Sequence, residues 1–256
     1  MQLAYREYGT GQPLIILHGL FGQSDNWNTL AKIFSENNLH VFTVDLRNHG
    51  LSPHHHEWNY EVMCDDLNEF ITEHNLQNPI LLGHSMGGKV VMYFELKYPG
   101  IAKKIIVADI SPRAYESLHI EILEALNSVD FLKIKRRKEA ETILLKYIPD
   151  FRTRQFLLKN IYWKDSANNL MDWRFNLTTI TKEYFNIGNA VPDKKSNIET
   201  LFIRGEHSPY IREKDIPEIE KRFPNYKLIT IKDSGHWVHF EKPDEFFEAV
   251  INFIKV

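Results

Sequence analysis

Ile80-Leu81-Leu82-Gly83-His84-Ser85-Met86-Gly87, continuing into Gly88-Lys89-Val90-Val91-Met92-Tyr93-Phe94-Glu95-Leu96, is the stretch that decides how this chain folds. The apolar run Ile80-Leu81-Leu82 reads as a strand buried on both faces, and the run after Gly87 reads as a helix. A serine held between them must turn the chain sharply, and flanking glycines remove the side chains that would collide there. The turn lifts the Ser85 hydroxyl out of the sheet. The Met86 N–H and the positive end of the following helix then face any negative charge that builds beside it. Such a site is built for acyl transfer. Because two glycines and a serine also recur in ordinary loops, the reading depends on the rest of the chain.

Working outward, further strands are expected at 13–18, 40–45, 78–83, 103–109, 199–205 and 226–231, with an edge strand in the alternating N-terminal segment 1–9. Helical periodicity falls at 27–36, 60–74, 88–98, 211–223 and 244–254. Strand and helix alternate, which predicts an α/β fold with a mostly parallel, doubly wound sheet. The alternation stops between about Ser111 and Ser196, where helical patterns at 118–126 and 138–147 occur without clear strands. The expected organisation is a core of 1–111 and 196–256 carrying a helical cap insertion of 112–195. Phe21 and two rings of the insertion, Trp163 and Trp173, are candidates for a pocket above the sheet, although aromatics at helical spacing also pack inward.

The 256 residues suffice for one sizeable core. A formal net charge of −3 gives no basic field for nucleic acid, so recognition is expected to be local and directed at a small molecule. The single cysteine, Cys64, excludes an intramolecular disulfide and a cysteine-based metal cluster, and falls in an apolar-periodic helix. His54-His55-His56 are adjacent residues that project in different directions, so a solvated loop is expected and no metal site. With no run of apolar residues long enough for a bilayer and no basic-then-apolar leader at the N-terminus, the expectation is a soluble cytoplasmic protein without stable membrane insertion. Oligomeric state is not legible.

A serine hydroxyl needs a base to become nucleophilic. His236 fits, because Asp233-Ser234-Gly235-His236 forms a turn after a late strand, at the carboxyl edge where sites in such sheets collect. The acid departs from the usual arrangement. Gly205-Glu206-His207-Ser208 places a serine where a Gly-x-x-Asp turn is expected, so Asp109, at the end of Ile105-Ile106-Val107-Ala108, is the first choice. Its rivals are Glu206 and Asp233, and its plainer role would be to cap the chain entering Ser111-Pro112. His18-Gly19-Leu20-Phe21-Gly22 follows the first parallel strand and can supply the second oxyanion donor beside Met86, preferentially the Leu20 N–H.

With these residues assembled, the chain resembles the α/β-hydrolase superfamily over essentially its whole length, and HGLFG, DLRNHGLSP, GHSMGGK and ADISP resemble its small bacterial esterase branch. The resemblance implies a sheet of about eight strands with a helical cap, serine hydrolase activity on carboxylic esters or thioesters, and no cofactor. It also implies Asp109 as the acid, with Ser208 helping to position His236. Other chemistries use the same fold, including carbon–carbon bond hydrolysis, lyase chemistry and ligand reception with slow turnover. Lys133-Ile134-Lys135-Arg136-Arg137-Lys138 could attract anionic substrates, though interleaved Glu139 and Glu141 favour a solvated helix face.

Overall fold

The computed structural model describes residues 1–115 and 120–255. Its central sheet comprises β1 (Tyr5–Tyr8), β2 (Gln12–Leu17), β3 (Leu39–Val44), β4 (Ile80–His84), β5 (Lys104–Ala108), β8 (Thr200–Gly205) and β9 (Tyr226–Ile231). The strand order is β1-β3-β2-β4-β5-β8-β9, with only β1 antiparallel to its neighbour. The sheet therefore has seven strands, one fewer than the resemblance implied.

Side chains alternate across the pleat, and both faces are covered by helices, so the inner strands are buried along most of their length, while edge strand β1 stays exposed. Leu14 and Ile16 of β2 join one core layer with α1 (Asn28–Ser35) and α10 (Pro243–Lys255), through Phe34, Phe246 and Phe253. Ile15 and Leu17 join the opposite layer with α2 (Tyr60–Glu73), α3 (Met86–Lys97) and α8 (Ile216–Arg222). Each fully buried side chain of this kind contributes on the order of 2 kcal/mol.

Between β5 and β8 the described residues contribute no strand to the central sheet. They form α4 (Ile120–Asn127), α5 (Arg137–Leu144), α6 (Phe151–Leu158) and α7 (Leu177–Glu183). Of the helix expected over 118–126, positions 118 and 119 lie outside the described residues. The segment also contains an antiparallel hairpin, β6 (Ile161–Asp165) with β7 (Leu170–Trp173), where sequence periodicity gave no clear strand. The short helix α9 (Val238–Glu241) follows the loop after β9. No helix among the described residues is long and apolar enough to cross a membrane.

Candidate active site

The carboxyl ends of β2, β4, β5, β8 and β9 converge on Ser85. This residue has φ 52° and ψ −116°, a conformation that costs of order 1 to 3 kcal/mol and persists only where the surroundings hold it. The surroundings are specific. A Cβ on Gly83 would lie 2.1 Å from the Gly87 carbonyl oxygen, and one on Gly87 would lie 2.5 Å from the Leu17 carbonyl oxygen. Only glycines allow strand, turn and helix to pass this closely, and the Ser85 N–H is tied to the Ala108 carbonyl at 2.9 Å. Met86 opens α3, so its N–H lies beyond the reach of the helix's own carbonyls.

The loop after β2 is equally constrained. The Gly22 N–H donates to the Gly19 carbonyl at 2.9 Å, closing a turn that puts Phe21 at φ 59°. His18 fixes the entry, with Nδ1 donating to the Gly19 carbonyl at 2.8 Å and Nε2 accepting the Leu46 N–H at 3.0 Å. Burial holds His18 neutral, with its pKa lowered to about 4. Asp45 braces the same corner by accepting the Ser24 and Leu51 N–H groups, and Arg47 pairs with buried Asp66 at 2.6 and 2.8 Å. The DLRNHGLSP motif therefore supports the loop that presents Leu20.

His236 is held from every side. Its Nδ1 donates to Asp109 Oδ2 at 2.7 Å, which leaves Nε2 as the nitrogen with the free lone pair. Its carbonyl accepts His84 Nε2–H at 2.9 Å, and the neighbouring Gly235 and Trp237 N–H groups both donate to Glu241, at 3.1 and 3.2 Å. Tyr210 stacks on the imidazole at 3.9 Å. Burial lowers His236 to about 3 and raises Asp109 to about 7, the latter against the pull of its hydrogen-bond donors Ser208 and Gly205.

Asp109 has no exposed surface and collects three donors: the Gly205 N–H at 3.0 Å on Oδ1, and Ser208 and His236 on Oδ2. Ser208 thus reaches His236 through the carboxylate. The two rivals stand elsewhere. Glu206 accepts the Asp233 N–H at 3.0 Å, and both are exposed.

Phe21, Ser85 and His236 line one small cavity, and Leu20, Ser85 and Met86 line a larger one. Trp163 and Trp173 are on the walls of neither. In the hairpin β6/β7, Trp163 is 51% exposed, whereas Trp173 is buried and stacks on Phe175 at 5.4 Å. The register pairs Ile161 with Trp173 and Trp163 with Met171, so both rings stand on the same face of the hairpin and differ in what covers them. Cys64 is buried in α2 with its pKa pushed upward by burial, as core placement requires. His55, His56 and Glu57 are close enough in space to share an ion, but two of the three are exposed. Lys133 and Arg136 are about four-fifths exposed and pair with Asp130 and Glu139, which makes the basic run a solvated face.

Residues the sequence did not single out complete the site. Lys89, in the first turn of α3, is buried and donates to the carbonyls of Pro112, Arg113 and Asn189. Tyr60 and Tyr93 donate to the Ile187 and Ala190 carbonyls at 2.7 and 2.8 Å. These bonds tie both ends of the segment between β5 and β8 to the core helices. Tyr210 and Glu241 are the others. Apart from Glu241, whose partners Gly235 and Trp237 are near neighbours in the chain, these residues meet partners distant in sequence, so no local pattern marks them.

The sequence profile described as alpha/beta hydrolase fold matches residues 12–243. An sn-1-specific diacylglycerol lipase of Danio rerio is 36% identical over 257 residues, covering 96% of this chain and 80% of the relative. Esterase YbfF of Escherichia coli is 33% identical, covering 94% of this chain and 92% of the relative. Among solved structures, a marine microorganism esterase superimposes with a TM-score of 0.95 at 42% identity, covering 99% of both chains. The match across most of the chain, together with these relatives, places the protein in the α/β-hydrolase family.

Proposed function

We propose that this protein is a serine carboxylesterase working through an acyl-enzyme on Ser85. One observation carries the reading: a strained, glycine-flanked serine and a neutral histidine oriented by a buried carboxylate line the same cavity. The esterase and lipase names of relatives that align over most of this chain support it.

In the first step His236 Nε2 takes the Ser85 proton as Oγ bonds to the ester carbonyl carbon, while the Leu20 and Met86 N–H groups hold the oxyanion. Collapse breaks the carbon–oxygen bond to the alcohol, and His236 returns the proton to the departing oxygen. Water then attacks the acyl-enzyme by the same route, giving the acid and restoring Ser85. Asp109 keeps the proton on Nδ1 and steadies the imidazolium, and Ser208 orients Asp109. No step calls for a metal or cofactor. Thioesters fit the same sequence of bond changes. Residues 112–195 act as a cap over the core formed by 1–111 and 196–256, a division supported by their unbroken insertion between β5 and β8. A reducing, cytoplasmic setting suits the one buried thiol.

The test is the initial rate of wild type and Ser85→Ala on nitrophenyl esters from acetyl to hexadecanoyl. Esterase activity that vanishes in the variant supports the reading. Hydrolysis that survives it refutes the acyl-enzyme, and an inert wild type would shift the weight to lyase or receptor roles.

A further inference from the structure

Two cavities meet at Ser85, and Ser85 and Leu20 belong to the walls of both. The larger, of about 320 Å³, is bounded by Tyr60, Met86, Ile110, Tyr184, Ile187 and Tyr210. The smaller, of about 70 Å³, is bounded by Phe21, Ile122, Phe156, His236 and Trp237. His236 faces only the smaller one, and Tyr210, stacked on one face of its ring, takes its place on the wall of the larger.

This asymmetry assigns the two halves of an ester. The alcohol oxygen must leave within hydrogen-bond reach of the imidazole that protonates it, so the alcohol lies on the side of His236. The acyl carbon stays on Ser85 and its chain must extend the other way. We propose that the larger cavity takes the acyl chain and the smaller the alcohol, so that preferred substrates join a medium-length, uncharged acyl group to a short alcohol. The proposal rests on the serine esterase reading and sharpens its substrate class.

Lys89 explains why the acyl group is uncharged. Its ammonium reaches the larger cavity with all three N–H groups already given to the Pro112, Arg113 and Asn189 carbonyls, so no donor remains for a terminal carboxylate. An acid end would be desolvated among tyrosine and isoleucine walls with no N–H of that ammonium left to bind it.

Methyl octanoate and heptyl acetate test the assignment, because they contain the same atoms with the long chain on opposite sides of the ester. Methyl octanoate is expected to have the higher kcat/KM by about tenfold or more, from apolar burial available on one side only. Three variants separate the cavities. Ile187→Trp narrows the larger and is expected to shorten the preferred acyl chain while leaving the ranking of alcohols unchanged; Ala114→Trp, on the exposed rim of the same cavity, repeats the test should the first variant fail to fold. Phe156→Ala widens the smaller and is expected to admit longer alcohols with the acyl profile unmoved. Preference for heptyl acetate, or crossed effects of the variants, would overturn the assignment and leave the esterase standing. Turnover of both esters that persists in Ser85→Ala would instead remove the parent reading, and the assignment with it.

Discussion

Asp109→Asn tests the proposed acid through the tautomer it imposes on His236. The Gly205 N–H can only donate, so the asparagine oxygen must take the place of Oδ1, 3.0 Å from that group. Its NH2 then replaces Oδ2, facing Ser208 and His236 Nδ1. Ser208 can rotate its hydroxyl and accept. The imidazole can accept at Nδ1 only by moving its proton to Nε2, which removes the lone pair that Ser85 requires. Every hydrogen bond survives and the base does not. The expected loss in kcat is about 10³- to 10⁴-fold, or roughly 4 to 5.5 kcal/mol of barrier, matching the loss of an orienting acid in serine proteases.

Stability should move the other way. A carboxyl raised by burial from 3.8 to about 7 destabilises the fold increasingly as pH climbs between those values, by at most about 4 kcal/mol. Asparagine lacks that penalty, so its thermal midpoint is expected to match or exceed wild type, with the advantage larger at pH 8 than at pH 5. Initial rates and thermal unfolding at both pH values check the two halves together. A kcat within tenfold of wild type, especially if Glu206→Gln or Asp233→Asn proved damaging, would refute the reasoning.

The pair Asp109 and His236 is expected to take up one proton near pH 7, disabling the base, so kcat/KM should rise about tenfold per pH unit below that value and level off above it; a flat profile from pH 5.5 to 8.5 would exclude this. Gly83→Ala places a Cβ 2.1 Å from the Gly87 carbonyl oxygen, and is expected to cost about 3 kcal/mol or more in urea unfolding. Lys89→Met leaves one buried and two part-buried carbonyls without their donor, which should lower stability by about 2 to 4 kcal/mol and raise amide exchange at residues 112–115 and 187–191 above that in β4; unchanged exchange there would show that the bonds do not anchor the segment.

Much of this architecture was legible because it is local. Strands such as Leu14 to Leu17 are buried on both faces and therefore read as unbroken apolar runs, and Gly83 and Gly87 mark a turn no other residue permits. His236 was legible from its place after a late strand. The pocket was not, because its walls come from a segment whose elements were misjudged. Ile161-Tyr162-Trp163 and Leu170-Met171-Asp172-Trp173 alternate around a turn at Ser166 to Asn169, with Asn169 at φ 51°, and that alternation was the available signal for a hairpin. Lys89 carried no such signal. Its acceptors lie 23 to 100 residues away, and in sequence it looks like an ordinary helix lysine.

The proposed acid, displaced to Asp109, has a physical consequence for the sheet. Asp109 leaves β5, yet His236 leaves β9, with β8 between them, so the carboxylate must span a strand that carries no acid of its own. Gly205 makes this possible. A Cβ there would sit 2.1 Å from the Gly235 carbonyl oxygen, so its bare backbone lets the histidine loop settle against β8 while its N–H donates to Asp109. Ser208, from the same turn, supplies the second donor. Strand β8 therefore anchors the carboxylate in place of providing it. The arrangement also accounts for a carboxylate buried without a cation: two neutral donors and the imidazole N–H share its charge, and each must be present for the others to hold their geometry. Ser208→Ala should accordingly weaken catalysis less than Asp109→Asn, because one donor of three is lost and the tautomer of His236 is kept.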